Sequence, residues 1–296
     1  MASLNRWYRG GFRVKAKNST ASRPVFVTGA TSGIGLATAR LLAGEGYRVF
    51  AGAEPGADSA GLEGSGAELV EIDVTDAASL AAARDSVRAR LGETPLWGLV
   101  NCAGVMAAGA VEMVDIDEVR HLFEVNVIGV FASCQTFLPQ IRAARGRIVN
   151  ISSLSGLLAV PFLGPYCASK AAIESLCDTM RRELQPLGVD VIAIQPGATR
   201  TAMWGKAEDI DLAPYQGSGY EAAVARVQRK AVKKARKKGQ PPLHVAQAVL
   251  RALTAEPAPS RIRVQRKLSS RLMYSLLPLL PDRFVDRKVA QKVWRK

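Results

Sequence analysis

A tyrosine and a lysine stand four residues apart in the segment Tyr166-Cys167-Ala168-Ser169-Lys170. Residues four apart lie on one face of an α-helix, so a helix here brings the phenol and the ammonium together. A nearby cation favours the phenolate, which would let Tyr166 exchange a proton with an alcohol or carbonyl oxygen well below the ordinary tyrosine pKa of about 10. Such pairs are also common on surface helices, and this pair alone leaves that alternative open.

Two polar residues precede this pair at wider spacing. Ser153 lies 13 residues before Tyr166, just after a predicted strand, and its hydroxyl is suited to holding a substrate oxygen. Ser152 and Ser155 are alternative hydroxyls for that role. Asn126 lies 27 residues before Ser153 inside a predicted helix. Because asparagine is a poor helix former, its presence there indicates a role other than helix formation.

A glycine-rich turn lies near the beginning of the chain. It follows a β-rich run, precedes a helical pattern and reads Thr28-Gly29-Ala30-Thr31-Ser32-Gly33-Ile34-Gly35. Glycines let backbone N–H groups approach a pyrophosphate, and a helix N-terminus adds partial positive charge. The order strand, turn, helix therefore predicts a dinucleotide cradle, with a merely tight loop as the alternative.

Strand and helix patterns alternate along the chain. This alternation predicts an α/β fold of the Rossmann type, a doubly wound parallel sheet with helices on both faces. The predicted strands cover residues 25–28, 48–51, 69–72, 96–100, 147–151, 190–194 and 261–264. The predicted helices begin at about residue 35 and then cover residues 77–91, 118–143, 166–184, 221–238 and 243–254.

Composition excludes several classes of protein. A chain of 296 residues with 48% hydrophobic residues is too apolar to be disordered, and its length fits one large domain with appendages. The four cysteines have no ligand-like spacing, which argues against a disulfide scaffold or a zinc module. We therefore predict no metal site. No apolar run of about 18 residues is present, so no membrane-spanning helix is predicted.

The net charge of +14 is concentrated at the two ends. Residues 1–24 carry six basic and no acidic groups, whereas residues 25–202 carry 13 basic and 19 acidic groups. Residues 203–296 carry 21 basic and 7 acidic groups. The central segment is thus mildly acidic, and the basic character belongs to its flanks.

The sequence of the glycine-rich turn, TGATSGIG, resembles the corresponding motif of the short-chain dehydrogenase/reductase family. Other segments match that family in the same order. Asp73, followed by Val74, resembles its adenine-contacting aspartate. The segment Asn101-Cys102-Ala103-Gly104 resembles its Asn-Asn-Ala-Gly turn, with Cys102 in place of the second asparagine, and Pro196-Gly197-Ala198-Thr199 resembles its Pro-Gly turn. The resemblance is strong from about residue 24 to 201 and weaker to about 264.

This resemblance implies a catalytic tetrad and a reaction. The tetrad is Asn126, Ser153, Tyr166 and Lys170, and the reaction is reversible hydride transfer between a nicotinamide and a carbinol carbon. Tyr166 would act as general acid or base, with Ser153 orienting the substrate oxygen. Lys170 would lower the tyrosine pKa and bind the nicotinamide ribose, Asn126 would hold a water, and Thr199 would contact the carboxamide. A homodimer or homotetramer is also implied.

The resemblance further implies a set of cofactor contacts. They are Thr28, Gly29, Thr31, Ser32, Gly33, Ile34, Gly35, Ala53, Glu54, Asp73, Val74, Asn101, Ala103, Gly104, Tyr166, Lys170, Pro196, Gly197 and Thr199. In the family an acidic residue at the end of the second strand selects NAD, whereas basic residues select NADP. Here that position is Ala53, followed by Glu54, which would repel a 2′-phosphate. We therefore favour NAD over NADP, with Arg40 or Arg48 as alternative phosphate partners.

The segment between Ser153 and Tyr166 carries no charge and is largely apolar. The expected lid after Thr199 is also apolar, with Met203, Trp204, Ile210, Leu212, Pro214 and Tyr215. Such walls suit a small lipophilic substrate, a steroid-like, retinoid-like or long-chain alcohol or ketone. The same residues are equally suited to a subunit contact or to core packing.

The basic flanks have several interpretations. Eight of the thirteen residues 226–238 are basic, and residues 268–296 combine apolar and basic residues with Trp294 near the end. An anionic membrane surface is one partner for such a C-terminal region, and a solvated helix face or a contact with the protein's own core is the alternative. Nucleic acid is disfavoured as a partner because no recognition motif accompanies the charge. The N-terminal extension is no secretory signal and fits either a disordered extension or a mitochondrial presequence.

We therefore predict three segments. Residues 1–23 form a basic extension, residues 24–265 a Rossmann-type domain with a substrate lid at about 200–240, and residues 266–296 an amphipathic basic tail. The predicted activity is that of an NAD(P)-dependent oxidoreductase that interconverts a lipophilic alcohol and a ketone or aldehyde. A catalytically silent cofactor sensor or a membrane-surface binding protein is the alternative. The predicted location is cytoplasmic, with peripheral membrane association, and mitochondrial as the alternative.

Overall fold

A seven-stranded, all-parallel sheet forms the centre of the protein. The computed structural model describes residues 23–203, 211–265 and 268–294. The strands are β1 (Pro24–Val27), β2 (Arg48–Ala53), β3 (Glu68–Glu71), β4 (Gly98–Asn101), β5 (Arg147–Ile151), β6 (Asp190–Pro196) and β7 (Arg261–Val264). Their order in the sheet is β3-β2-β1-β4-β5-β6-β7.

Helices connect the strands and extend beyond the last one. They are α1 (Gly33–Gly44), α2 (Ala77–Leu91), α3 (Ile116–Phe123), α4 (Gly129–Ala143), α5 (Gly164–Leu184), α6 (Glu221–Lys238), α7 (Pro242–Thr254), α8 (Leu268–Leu276) and α9 (Asp282–Trp294). A π-helical segment, Glu124–Ile128, joins α3 to α4 without a break. The predicted helix over residues 118–143 therefore exists, but one turn of it is widened around Asn126.

Helices cover both faces of the sheet. On one face Phe26 and Phe50 pack with Phe137 of α4, and the rings of Phe26 and Phe137 stack at a centroid distance of 4.7 Å. On the other face Leu42 of α1 and Val249 of α7 are fully buried. Strands buried on both faces are typical of doubly wound sheets, so the predicted fold class is confirmed.

The strand order reverses between β1 and β4. The chain goes outward from β1 to β2 and β3, then returns to β4 on the other side of β1. A crevice opens at the carboxyl ends of the strands at such a switch point, and ligands of open α/β sheets bind there. The glycine turn after β1 and the turn after β4 both lie at this edge.

The continuous helix over residues 116–143 is long and apolar enough to cross a membrane by length and composition alone. In this fold Cys134, Phe137 and Ile141 are buried in the core against the sheet. The helix thus serves as a core element, and its apolar character is explained by that packing.

Parts of the predicted appendages lie outside the described residues. These include residues 1–22 and the lid residues Trp204 and Ile210. The predicted helix over residues 221–238 is α6, and the tail forms α8, a short 3-10 turn at Leu277–Leu279, and α9.

Candidate active site

The glycine turn after β1 is pressed against the turn after β4. Gly29 has a φ of +61°, and a Cβ atom there would lie 2.8 Å from the Cα atom of Ala103. The Thr28 hydroxyl oxygen accepts hydrogen bonds from the backbone N–H groups of Cys102, at 2.9 Å, and Ala103, at 3.1 Å. A residue larger than glycine would separate the two turns. The replacement of the family's second asparagine by Cys102 leaves this backbone link in place.

The N-terminus of α1 has the features of an anion cradle. Ser32 is the N-cap residue, and its hydroxyl makes no capping hydrogen bond to α1. Gly33 has a φ of +52°, and the space where its Cβ atom would lie is bounded by the Thr201 methyl group at 3.1 Å. A dinucleotide pyrophosphate fits this cradle of glycines and helix N–H groups. Thr201 was not predicted as a site residue, although it follows Thr199 by two positions.

The far end of the crevice lies at the end of β2. Ala53 is buried and Glu54 is exposed. Arg48 lies at the opposite end of β2 and pairs with Glu68 at 2.7 Å, which directs its guanidinium away from this edge. Arg40 donates to the Gly61 carbonyl oxygen at 3.3 Å. Of the two cations considered for a 2′-phosphate, only Arg40 therefore lies on an element beside the cradle.

Asp73 and Asn101 make internal hydrogen bonds. The Asp73 carboxylate accepts from the backbone N–H and the hydroxyl of Thr75, at 2.8 and 2.7 Å, and these bonds lower the pKa of Asp73. Asn101 is buried, and its Nδ2 atom donates to the Asn150 Oδ1 atom at 2.8 Å. The Asn101 side chain thus joins β4 to β5 beneath the site.

Asn126 is fully buried at the centre of the π-helical segment. Its Oδ1 atom accepts from the Val105 N–H at 2.8 Å, and its Nδ2 atom donates to the Val105 carbonyl oxygen at 2.9 Å. The same Nδ2 atom donates to the Ser169 hydroxyl oxygen at 3.1 Å, and that hydroxyl donates to the Tyr166 carbonyl oxygen at 2.8 Å. Asn126 therefore links the turn after β4 to the first turns of α5.

Lys170 extends from α5 towards the end of β5. Its Nζ atom donates to the Ile151 carbonyl oxygen at 3.1 Å and lies 5.7 Å from the centroid of the Tyr166 ring. Gly104 faces the same point, because a Cβ atom there would lie 3.2 Å from the Asn126 Oδ1 atom and 3.7 Å from the Lys170 Nζ atom. The structure thus brings Asn126, Tyr166, Lys170 and Gly104 to one place.

Ser153 lies two residues beyond the end of β5, where it begins a short 3-10 helix, Leu154–Gly156. Its hydroxyl oxygen accepts from the Ser155 N–H at 3.1 Å and interacts with the Tyr166 phenol, which acts to lower the tyrosine pKa. The Ser152 hydroxyl instead donates to the Lys170 carbonyl oxygen in the core, at 3.4 Å. This arrangement supports Ser153 among the three serines.

The pKa of Tyr166 differs from the sequence-based expectation. Burial raises the pKa of Tyr166 to about 12, and the interaction with Ser153 offsets only part of that rise. Burial also lowers the pKa of Lys170 to about 8. The expected lowering of the tyrosine pKa by Lys170 is therefore wrong for this arrangement, in which the ammonium bonds to Ile151. At neutral pH the phenol keeps its proton and most of the Lys170 side chains are charged.

The turn after β6 completes the crevice. Thr199 is buried, donates to the Gly197 carbonyl oxygen at 3.0 Å and receives a 3.3 Å hydrogen bond from the Gln240 amide. Gly197 lies beside Leu154, since a Cβ atom on Gly197 would be 3.4 Å from the Leu154 Cδ1 atom. The described part of the chain contains no group of three or more His, Cys, Asp or Glu side chains that could hold a metal ion.

Residues 23–211 match the sequence profile of the short chain dehydrogenase family. The chain belongs to this family. The family predicted from the motifs is thus confirmed, and the matched region contains every predicted site residue. It ends before α6, so α6 to α9 lie outside the segment that the profile recognises.

Several curated relatives are similar in sequence. Human 17-beta-hydroxysteroid dehydrogenase type 6 is 38% identical over 212 residues, which are 70% of this chain and 66% of that protein. The NADPH-dependent 3-dehydrocapnine reductase of Ornithobacterium rhinotracheale is 34% identical over 274 residues, 90% of this chain and 95% of that protein. Bovine mitochondrial D-beta-hydroxybutyrate dehydrogenase is 36% identical over 64% of this chain and 58% of its own length. The chain thus spans 66% and 58% of the lengths of two of these relatives, less than two thirds of each.

Solved structures share the fold. A short-chain dehydrogenase/reductase of Burkholderia phymatum in complex with NAD superposes with a TM-score of 0.74 at 24% identity, covering 88% of this chain and 95% of that one. A short-chain dehydrogenase of Streptomyces avermitilis has a TM-score of 0.70 at 29% identity and covers 91% and 99% of the two chains.

The buried ammonium of Lys170 yields a test of stability. Its pKa of about 8, against an ordinary value of 10.5, means that below pH 8 folding confines a charge at a cost of about 3 kcal/mol. Between pH 8 and 10.5 the unfolded chain binds this proton more tightly than the folded one, so the contribution of Lys170 to stability rises with pH. We expect Lys170→Met to be more stable than the parent at pH 7 and to lose that advantage by pH 10.

Urea unfolding of both proteins between pH 7 and 10 measures this difference. Other buried groups titrate in the same range, but they are common to both proteins and cancel in the comparison. A stability difference that does not change with pH would contradict the burial of a charged Lys170.

Proposed function

We propose that the protein is an NAD(P)-dependent oxidoreductase that interconverts a lipophilic alcohol and the corresponding ketone or aldehyde. The observation that carries this proposal is the convergence of Ser153, Tyr166 and Lys170 near the turn after β4, which packs against the glycine turn, with Asn126 hydrogen-bonded to Ser169. Two hydroxyls side by side, with an ammonium one helical turn away, are suited to hold a substrate oxygen and to move one proton.

When bound, the nicotinamide supplies or accepts the hydride. Ser153 holds the substrate oxygen beside the Tyr166 phenol and so polarises the carbon–oxygen bond. Tyr166 donates its proton to that oxygen during reduction and accepts a proton from it during oxidation. Lys170 provides a cation close to the phenol ring, and Asn126 positions Tyr166 through Ser169.

The raised pKa of Tyr166 favours one direction of proton transfer. A phenol with a pKa of about 12 holds its proton at neutral pH and is ready to donate it to a carbonyl oxygen. Oxidation of an alcohol needs the deprotonated phenol, which is scarce at that pH.

We propose NAD rather than NADP as the preferred cofactor. Ala53 offers no cation at the end of β2, Glu54 is exposed beside it, and Arg48 is paired with Glu68 at the far end of the strand. A 2′-phosphate placed near Glu54 would meet a like charge. The 3-dehydrocapnine reductase relative is NADPH-dependent by name, so NADP is the second candidate, with Arg40 as its phosphate partner.

The proposed substrate has an apolar body. The segment between Ser153 and Tyr166 is uncharged, and a small apolar cluster of Ala110, Tyr215 and Val224 lies between the loop after β4 and the lid. Hydroxysteroids and retinol are lipophilic alcohols named for two relatives, human 17-beta-hydroxysteroid dehydrogenase type 6 and human retinol dehydrogenase 16. A small hydroxy acid, as named for the D-beta-hydroxybutyrate relatives, is the second candidate.

We also propose that the tail binds an anionic membrane surface. Six of the thirteen exposed large hydrophobic residues in the described part of the chain lie within residues 272–294, namely Leu272, Met273, Leu276, Leu279, Phe284 and Trp294. Exposed cations occur on α9 of the same segment, at Arg283, Arg287, Lys288 and Lys292. Apolar residues with adjacent cations are suited to the boundary between lipid headgroups and acyl chains.

Assembly and location remain predictions. We propose a homodimer or homotetramer that forms through the long helices around Asn126 and Tyr166. The side chains of Ile128 and Phe131, on the helix that contains Asn126, are exposed and agree with this proposal. A cytoplasmic or peripheral membrane location stays our proposal, with mitochondria as the alternative, since one group of relatives is named as mitochondrial. The catalytically silent sensor is disfavoured by the intact arrangement of Ser153, Tyr166 and Lys170.

Replacing the phenol tests the proposed reaction. We expect Tyr166→Phe to lower turnover of a lipophilic carbinol at least about 100-fold, because proton transfer by a positioned group contributes that much or more. The dissociation constant for the nicotinamide should change by less than about twofold. Absorbance of the reduced cofactor measures turnover.

Tyr47→Phe is the matched control. Tyr47 is a buried tyrosine packed against Trp97, beside β1, and the loss of its hydroxyl should leave turnover unchanged. Substantial residual turnover in Tyr166→Phe would refute the assignment.

Cofactor preference is tested at the end of β2. We expect the parent to bind NADH more tightly than NADPH, and Glu54→Arg to shift the ratio of the two dissociation constants about tenfold or more towards NADPH. Glu63→Arg, an exposed change in the connection that follows β2, is the control for net charge. Equal shifts in both variants, or tighter binding of NADPH by the parent, would contradict the role given to Glu54.

Membrane binding is tested by cosedimentation with vesicles of phosphatidylglycerol and phosphatidylcholine. We expect salt-sensitive binding by the parent and about tenfold weaker binding by Leu279→Glu. The exposed leucine would bury its side chain in the membrane, whereas a glutamate cannot be buried there and is repelled by the anionic lipid. Leu187→Glu is the control, an exposed leucine in the turn after α5. Equal binding by the parent and both variants would rule out this part of the tail.

A further inference from the structure

The last helix of the tail, α9, is hydrogen-bonded to α6. Arg226 of α6 donates to the Val293 carbonyl oxygen at 2.8 Å, and Lys230 of α6 donates to the Lys292 carbonyl oxygen at 2.9 Å. These carbonyls lie in the last described turn of α9, and the carbonyls of a last helical turn generally need partners from outside the helix. Cations there satisfy the carbonyls and interact favourably with the helix dipole. The end of α9 is therefore held by two side chains of α6, and Val293 is buried.

Trp294 joins two aromatic rings at this junction. Its ring centroid lies 6.2 Å from that of Phe162 and 6.4 Å from that of Tyr220. Phe162 and Tyr220 meet edge to face, with centroids 6.2 Å apart and an interplanar angle of 80°. We call these three residues the aromatic cluster. It unites the segment before α5, the residue before α6 and the end of the tail.

Phe162 has an unusual backbone. Its φ is +66°, a left-handed conformation that is unfavourable for a bulky residue, and its carbonyl oxygen accepts from the Gly109 N–H at 2.9 Å. Such conformations persist where the surrounding structure enforces them, often at ligand sites. Phe162 precedes Tyr166 by four residues in the uncharged segment of the proposed pocket. The aromatic cluster thus lies close in the chain to the proposed general acid.

The cluster also borders the small apolar core of the lid. Phe162 and Tyr220 pack against the group formed by Ala110, Tyr215 and Val224. The Tyr220 hydroxyl donates to the Glu112 carboxylate at 2.9 Å, which fixes the ring to the loop after β4. Trp294 itself remains half exposed, with 50% of its surface accessible. An indole held among other rings but not fully covered retains apolar surface for a ligand.

We propose that Trp294 is a specificity-determining residue, and that the end of α9 forms the outer wall of the substrate site. The aromatic cluster contacts the apolar body of the substrate, while Ser153 and Tyr166 hold its reacting oxygen. This inference rests on the proposed function and deepens it. It assigns substrate recognition to the tail, which lies beyond the residues that the family profile matches.

Trp294→Ala separates recognition from chemistry. We expect KM for a hydroxysteroid or a retinoid alcohol to rise about tenfold, with kcat changed less than about threefold, because the substrate loses an aromatic contact remote from the reacting oxygen. For a short secondary alcohol, kcat/KM should change less than about twofold. Leu187→Ala is the control, since Leu187 is an exposed apolar residue outside the tail, in the turn after α5. It should behave as the parent with both substrates.

The outcomes are distinct. Equal losses of kcat/KM with long and short substrates would overturn the inference, as would a drop in the thermal midpoint that accounts for the loss. Trp294 would then serve only to hold α9 in place. Unchanged KM for the bulky substrate would overturn it as well. Rescue by Trp294→Phe, which restores a ring, supports it.

A binding measurement keeps the inference independent of turnover. The amphiphilic probe 1-anilinonaphthalene-8-sulfonate accepts energy from nearby tryptophan. We expect a lipophilic ketone to displace the probe from the parent, and we expect tryptophan-sensitised probe emission without ketone to be lower by about a third or more in Trp294→Phe. Unchanged emission would overturn the inference. If the parent oxidises and reduces no carbinol or ketone with either nicotinamide, the proposed function fails, and this measurement alone decides whether Trp294 borders an apolar ligand site.

Discussion

The buried amide of Asn126 is the interaction on which the site depends. Its two atoms bond both backbone groups of Val105, and its nitrogen also reaches Ser169, whose hydroxyl bonds the Tyr166 carbonyl oxygen. One side chain thus joins the turn after β4, the widened turn of the long helix and the beginning of α5. Leaving these buried groups without partners would cost about 1–3 kcal/mol for each one. The backbone around Asn126 departs from the α-helix and forms one π-helical turn.

Burial governs the electrostatics of the site more strongly than the pairing of charges. The same desolvation raises the pKa of Tyr166 to about 12 and lowers that of Lys170 to about 8. Both shifts disfavour the charged forms, so near neutral pH the site holds a neutral phenol beside an ammonium whose proton is weakly bound. Confining that ammonium destabilises the fold, so stability does not explain Lys170, and its burial agrees with the role in proton transfer that we propose for it.

The protein combines an acidic central segment with basic flanks, and the two parts meet at the aromatic cluster. The family profile ends at residue 211, yet α6 and α9 are joined there by charged side chains that bond backbone carbonyls. Trp294 packs on Phe162 across 132 positions of sequence. The tail therefore packs on α6 and, among the described residues, is also where exposed large apolar residues are most frequent. A lipophilic substrate and a lipid surface would be recognised by the same segment.

The sequence by itself determined the fold class and most of its elements, because periodic burial leaves a local signature. The bounds of α2 at residues 77–91 and of β5 at residues 147–151 follow from such patterns, and the glycine turn and the Tyr166–Lys170 pair are local motifs of family membership. The tertiary structure alone decided what depends on distant neighbours. It placed Ser153 beside the Tyr166 phenol, showed that the helical residue Asn126 also links the turn after β4 to α5, reversed the expected shift of the tyrosine pKa and brought Trp294 to Phe162. Desolvation and long-range hydrogen bonds arise only when segments far apart in the chain are packed together, and no local pattern encodes them.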